Sequence, residues 1–123
     1  MPVYCEFRDN VLTVTAVGDY RTTELNVALE AALADPRFGR GLPLLLDGRS
    51  SLATLTRDEV GQRADWLARL CGDRVRRVAF LVPDGGHRGQ IQELAVHALN
   101  AHGLPALVFA DRAKALRWLR ERK

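Results

Sequence analysis

The chain has 123 residues, of which 47% are hydrophobic and 27% are charged, and its formal net charge is +3. These values are typical of a single globular domain spanning residues 1–123, and they exclude disordered, collagen-like and coiled-coil proteins. Because the chain has no apolar run of about 18 residues and no basic-then-apolar leader, we expect a cytoplasmic protein without a membrane span.

The first two strands are predicted from segments rich in β-branched and aromatic residues, Val3–Arg8 and Val11–Val17. Asp9 and Asn10 separate them, and side chains of this type tolerate a positive φ in a two-residue turn. The chain therefore opens with a β-hairpin, whose second strand ends at Gly18-Asp19. Cys5, in the first strand, lies far from Cys71, so we expect two reduced thiols.

A helix capped by Thr22 or Thr23 is predicted next, and it ends at Asp35-Pro36 because a residue before Pro is disfavoured in the α region. Its apolar residues recur at helical spacing: Leu25, Ala28, Leu29, Ala32 and Leu33. The short apolar run Leu42–Leu46 then predicts a third strand, which ends at Asp47-Gly48.

Two further apolar runs, Val78–Val82 and Ala106–Phe109, do not alternate with polar residues. Such runs are typical of strands that are buried on both faces of a parallel sheet. They predict the fourth and fifth strands.

Three helices alternate with these strands. Thr56 and Glu59 have the spacing of a capping box, which predicts a helix start, and Gly72 ends that helix. A second helix ends at His102-Gly103. Asp111 caps a last helix, which runs from Arg112 to about Arg122.

The element order is thus β-β-α-β-α-β-α-β-α. Alternation of this kind predicts an α/β fold, with a five-stranded, mostly parallel sheet, an N-terminal β-hairpin and four helices.

This order, the Gly18-Asp19 strand end and the strand Leu44–Asp47 resemble the STAS superfamily. Within it the chain is most similar to the SpoIIAA-like group, which is related to the lipid-binding SEC14 fold. In that group a strand ending in Val-Phe is followed by a helix with Ala-Leu-x-Trp-Leu, as here in Val108-Phe109 and 115–119. The resemblance implies a small regulatory or ligand-binding module that is not an enzyme.

The resemblance also implies a phosphorylation site. In the anti-sigma-factor antagonists of this superfamily, a Ser just after the third strand is phosphorylated by a partner kinase, and the modification switches binding. The corresponding segment here contains Ser50 and Ser51, the two Ser residues of the chain. It departs from the family motif, since Gly48-Arg49 separates Asp47 from the Ser pair and Leu52 follows it. The resemblance thus implies that Ser50 or Ser51 is phosphorylated.

Two polar segments are predicted at the carboxyl ends of the strands, where open α/β folds bind ligands. The first is the loop 47–56. An anion near Arg49, or at the start of the following helix, would gain charge-assisted hydrogen bonds and a favourable helix dipole. The alternative is that Asp47 and the two Ser residues satisfy backbone groups of the turn.

The second segment is the loop 83–90, between a buried strand and a helix. Gly85 and Gly86 allow close backbone approach, Asp84 precedes them, and His87 and Arg88 add a titratable donor and a fork of donors. The loop lacks the spacing of a dinucleotide fingerprint or a P-loop, so no cofactor is predicted. The alternative is a flexible strand-to-helix turn.

Other chemistries are disfavoured. His97 and His102 are five residues apart and diverge on a helix, unlike a zinc-binding pair, so we expect no metal site. No Gly-x-Ser-x-Gly elbow is present, and no partner orients His87 as a catalytic base. We interpret the basic residues of the last helix, 112–123, as a solvent-exposed helix face. Nucleic-acid binding is therefore not expected.

The leading hypothesis is a non-enzymatic module that binds a protein partner, such as a regulator or kinase, or a small anionic ligand at the strand-end loops. The alternative is a SEC14-like carrier, which holds a small apolar or lipid-like ligand in a cleft between helices and sheet. A homodimer is compatible with either hypothesis.

Overall fold

The computed structural model describes residues 3–8, 10–18, 22–35, 41–51, 56–72, 74–83 and 87–121. Within these ranges the chain forms β1 (Val3–Arg8), β2 (Val11–Gly18), α1 (Thr22–Ala34), β3 (Leu42–Ser51), α2 (Arg57–Cys71), β4 (Val75–Leu81), α3 (His87–Ala101), β5 (Ala106–Phe109) and α4 (Arg112–Leu119). This is the predicted order of elements.

The strands form one sheet in the order β1-β2-β3-β4-β5. β1 pairs antiparallel with β2, and each later strand pairs parallel with the strand before it. Parallel neighbours need a crossover connection, which α1, α2 and α3 provide. The predicted mixed α/β fold is confirmed.

The β-hairpin has the predicted two-residue turn. Arg8 pairs with Val11, and Asn10 adopts a φ of 64°. Asn is one of the few residues other than Gly that adopts this left-handed conformation readily, since its short side chain bonds locally.

The two faces of the sheet carry different helices. Successive residues of a strand point to opposite faces, so Leu44 and Leu45, both fully buried, enter different clusters. Leu44 belongs to the larger core, with residues of α1, α2 and α3. Leu45 packs instead with Ala115 and Leu119 of α4, which lies over β3, β4 and β5.

Helix α2 begins with the predicted capping box. The Thr56 hydroxyl accepts a hydrogen bond from the Glu59 N–H, and the Glu59 carboxylate accepts one from the Thr56 N–H. Asp111 caps α4 as predicted, accepting from Ala113 and Lys114. None of the helices in the described ranges is long and apolar enough to cross a bilayer.

Some predicted boundaries are wrong. β3 does not end at Asp47-Gly48 but continues to Ser51, because β2 offers Val17 and Gly18 as pairing partners for Ser50 and Ser51. Thr22 and Thr23 lie inside α1 rather than at its cap. β4 starts three residues earlier than predicted, at Val75, and α4 ends at Leu119 rather than near Arg122.

Candidate functional site

The carboxyl ends of β3, β4 and β5 lie along one edge of the sheet, because these strands are parallel neighbours. The connection from β4 to α3 and the start of α4 leave from the same edge. Residues from three separate segments of sequence are therefore brought together where this fold class binds ligands.

An ion pair between Asp47 and Arg49 occupies the β3 end of this edge. Arg49 donates from Nε to Asp47 Oδ1 at 3.1 Å and from Nη2 to Asp47 Oδ2 at 3.0 Å. The Arg49 backbone N–H also donates to Asp47 Oδ1, at 3.1 Å. The contact lies at a β-bulge, since the pairing of β3 with β2 shifts register between Asp47 and Ser50. Both planar groups are thus fixed in a two-point contact.

The two partners differ in exposure. The Asp47 side chain is 9% exposed, whereas that of Arg49 is 43% exposed. A buried carboxylate needs such a partner, because an unpaired buried charge is costly. Asp47 therefore holds the guanidinium at a fixed place on the surface, and two of the five guanidinium donors are used to do so.

Asp111 adds a second carboxylate to this edge. Its Oδ1 accepts hydrogen bonds from the N–H groups of Ala113 at 2.8 Å and Lys114 at 3.4 Å, as the cap of α4. The hydrogen bond with Asp47 raises the pKa of Arg49, and the negative charges of Asp47 and Asp111 add to this effect. Asp111 is thus near enough for its charge to act on Arg49, whereas Asp47 contacts Arg49 directly.

The sequence predicted Asp47 and Arg49 as site residues but assigned Asp111 only a capping role. The available signal was its position directly after β5, at the same edge of a parallel sheet. The distance between Asp111 and Arg49 cannot be inferred from this position until the order of the strands in the sheet is known.

The phosphorylation hypothesis falls on the last two residues of β3. Ser50 and Ser51 lie in the strand, and not in a loop as predicted, with their side chains outside the described part of the structure. Their backbones pair with Val17 and Gly18 of β2. Ser50 follows Arg49 directly and Ser51 comes one residue later. The phosphorylation hypothesis stays a prediction.

The second predicted segment is described only in part. Asp84, Gly85 and Gly86 lie outside the described residues, whereas His87 and Arg88 are the first two residues of α3. The side chains of these two residues are not described. β4 lies between β3 and β5 in the sheet. Arg49 is in β3, on one side of β4, and Asp111 follows β5, on the other.

A groove of about 600 Å³ lies at another place, between β1 and α1. Six apolar residues and three charged residues line it: Val3, Cys5, Phe7, Ala28, Ala31 and Ala32, with Glu6, Arg8 and Asp35. This is a cleft between helix and sheet of the kind that the carrier hypothesis requires, within the usual size range of small-molecule sites. It is open to solvent and bordered by charge.

The other candidate groups have structural partners or are exposed. His102 Nε2 lies 3.0 Å from Asp65 Oδ1, which joins α3 to α2, and His97 is exposed. In the described part of the chain, no three His, Cys, Asp or Glu side chains form a metal-binding group.

Sequence reasoning missed the role of Arg76 and Arg77, at the start of β4. Arg77 donates to the Trp118 carbonyl at 2.6 Å, and Arg76 donates to the carbonyls of Leu119 and Glu121. These carbonyls lie at the end of α4 or just beyond it, where the regular hydrogen bonds of the helix stop. Two adjacent arginines at the start of an apolar strand were the available signal.

No family profile and no curated protein sequence matches the chain. Among solved structures it is similar to an uncharacterised protein of the DUF3478 family with a SpoIIAA-like fold, from Shewanella loihica PV-4. The two share 24% sequence identity and a TM-score of 0.62, over 95% of this chain and 91% of that one. The SpoIIAA-like fold predicted from the sequence is confirmed.

Proposed function

We propose that this protein is a cytoplasmic, non-enzymatic binding module of the STAS type that recognises an anionic group at the carboxyl edge of its sheet. The anionic group is a phosphate or carboxylate, carried by a protein partner or by a small ligand. The observation that carries the proposal is the two-point contact between Asp47 and Arg49, which presents a half-exposed guanidinium at that edge.

Arg49 is suited to recognition because its orientation is set before a ligand arrives. A planar guanidinium that is already fixed loses less conformational freedom on binding than a mobile lysine would. Its remaining donors offer charge-assisted hydrogen bonds, which are roughly twice as strong as neutral ones. The buried carboxylate of Asp47 supports the site by orienting Arg49, rather than by contacting the ligand.

Binding fits these groups better than proton transfer does. Asp47 is bonded to Arg49, and Asp111 is bonded to the backbone of α4, so both carboxylates serve as fixed acceptors. The SpoIIAA-like fold supports the same interpretation, since the resemblance implies regulatory binding.

Phosphorylation of Ser50 or Ser51 would place negative charge next to Arg49 in sequence. Such a phosphate would compete for the guanidinium with an incoming anion, and would form a switch of the kind that charge-changing modifications provide. We therefore include this switch in the proposal.

Inorganic phosphate and a short phosphoserine peptide are suitable probes, because together they distinguish a small ligand from a protein-borne phosphate. Titration of ¹⁵N-labelled protein should give saturable amide shifts at Arg49 and at residues 111–114. Arg49→Met should abolish these shifts, and Arg49→Lys should weaken them. Tighter binding of the peptide would indicate a protein partner, and equal binding a small ligand.

The control is Arg117→Met, which removes one exposed charge from the middle of α4. Shifts that do not saturate, or that persist in Arg49→Met, would contradict the proposal. For the switch, phosphoserine incorporated at position 50 or 51 should show a ³¹P-detected pKa below the usual value of about 6, since Arg49 favours the dianion. An unchanged pKa at both positions would remove the switch from the proposal.

A further inference from the structure

β1 is an edge strand. β2 pairs with one of its sides, and among the described residues no strand pairs with the other. An open edge is a template for another strand, and proteins usually protect it with charges, bulges or a covering element. β1 pairs with β2 over all six of its residues without a shift in register, so the edge is regular along its full length.

Helix α1 lies over β1, and its flank beside this edge is apolar. Ala28, Ala31 and Ala32 form one wall of the β1–α1 groove described above. Ala31 is exposed there, whereas Leu25, Leu29 and Leu33 of the same helix are buried in the core.

We propose that the protein forms a two-fold symmetric dimer in which β1 pairs antiparallel with β1 of a second copy. The two sheets then form one continuous sheet, and the two α1 helices lie side by side on the same face of it. The surface differs from the carboxyl-edge site, so the inference does not depend on the proposed function.

A second copy fits this edge because the charges on β1 complement themselves. Glu6 and Arg8 lie two residues apart on the same face of the strand and form an ion pair at 3.4 Å. An antiparallel copy presents them in the reverse order. In a register centred on Phe7, each Glu6 lies opposite the partner's Arg8, an opposite-charge pair on the same face.

The apolar flank of α1 supports the same occupant. Neighbouring strands lie about 4.8 Å apart, whereas packed helices are usually about 8–10 Å apart. Helices above two paired β1 strands therefore meet closely, and small side chains are needed between them. Ala28, Ala31 and Ala32, which line the groove beside β1, meet that need. An isolated peptide strand would cover the edge of β1 but would leave this alanine flank uncovered.

Charge variants at the strand test the proposal without removing any core residue. Sedimentation velocity over a concentration series should show a dimer for the wild type. Glu6→Arg and Arg8→Glu should each weaken it by about tenfold or more, since each places like charges across the two-fold axis. An equimolar mixture of the two variants should restore the dimer, because each chain then meets the opposite charges. Glu93→Arg, on the exposed surface of α3, is the matched control and should not change the assembly.

A second pair of variants tests the helix contact. Ala31→Asp should weaken the dimer, whereas Leu94→Asp, on the exposed side of α3, should not, and circular dichroism should show that both variants are folded. A wild-type monomer at submillimolar concentration, or a mixture of charge variants that stays monomeric, would overturn the proposal. Native mass spectra showing a monomer with a bound small apolar molecule would also overturn it, in favour of the carrier hypothesis.

Discussion

The guanidinium of Arg77 lies 5.0 Å from the ring centroid of Trp118 and donates a hydrogen bond of 2.6 Å to the carbonyl of the same residue. Arg77 also forms an ion pair with Glu121 at 3.2 Å, although its own side chain is only 7% exposed. The Trp118 ring in turn contacts that of Phe109, in β5, at 5.8 Å between centroids. This group of contacts joins the end of α4 to the start of β4.

Replacing Arg77 should therefore weaken the attachment of α4. We expect Arg77→Met to lower the free energy of unfolding by about 2–3 kcal/mol, since hydrogen bonds to charged groups contribute about 1.5–3 kcal/mol and the Trp118 carbonyl keeps only backbone donors. Urea denaturation followed by tryptophan fluorescence measures this loss. Arg117→Met, which changes an exposed arginine of α4, should cost less than about 0.5 kcal/mol. Equal losses in the two variants would contradict the role of Arg77.

The capping box of α2 should make stability depend on pH. The hydrogen bond from the Thr56 N–H lowers the pKa of Glu59, and the Thr56 side chain adds to this effect. A carboxylate whose pKa is lower in the folded state stabilises the protein above its unfolded pKa of about 4.3, and this contribution is lost as the pH falls through the folded value.

We therefore expect Glu59→Gln to be less stable than the wild type at neutral pH, with the difference disappearing at about pH 3. Thr56→Ala serves as the comparison. It removes an acceptor that does not titrate, so it should still cost about 1 kcal/mol at pH 3, and more at neutral pH because it also weakens the lowering of the Glu59 pKa. Thermal unfolding at the two pH values measures both effects, and a Glu59→Gln difference that persists in acid would refute the assignment.

The two cysteines should differ in reactivity. Burial raises the pKa of Cys71 to about 12, and it also raises the pKa of Cys5, whose Sγ donates to the Ala28 carbonyl. Since the thiolate is the reactive form, both thiols should react slowly in the native protein. We expect Cys71, which is fully buried, to be labelled by a maleimide only after the protein is unfolded in urea. Cys5 should already react, but slowly, in the folded protein. Cys5→Ala and Cys71→Ala identify each thiol by mass, and rapid native labelling of Cys71 would contradict its burial.

The hairpin turn depends on the left-handed backbone of Asn10. An ordinary residue pays roughly 1–2 kcal/mol in this conformation, whereas Gly adopts it without strain. Asn10→Ala should therefore lower the free energy of unfolding by about 1 kcal/mol, while Asn10→Gly should leave it unchanged or raise it slightly. Chemical denaturation of the two variants checks this, and equal stabilities would indicate a different turn.

The elements of the fold were predictable because their signals are local. The Thr56–Glu59 capping box, the Asp111 cap and the Asp9-Asn10 turn position each depend on a few neighbouring residues. Boundaries were missed where a long-range partner overrides local composition. Ser50 and Ser51 are polar and follow a Gly, which favours a turn, yet they are strand residues because β2 pairs with them.

The candidate site was predictable only in part. Asp47 and Arg49 were identified because polar residues follow an apolar strand, but their two-point contact depends on β3 remaining extended beyond Leu46. Arg76 and Arg77 were marked in the sequence only as adjacent arginines at the start of an apolar strand, and the carbonyls that they bind were set by the packing of α4.

The sequence by itself determined the elements, the mixed sheet and the resemblance to the SpoIIAA-like fold, since apolar periodicity and caps are properties of adjacent residues. The tertiary structure alone decided that Arg49 pairs with Asp47 near the charge of Asp111, that Arg77 holds the end of α4, and that β1 is left at an edge beside the apolar flank of α1. These relationships follow from the order of the strands and from the face on which each helix packs. Both are set by contacts between residues that are distant in sequence, so no local pattern records them.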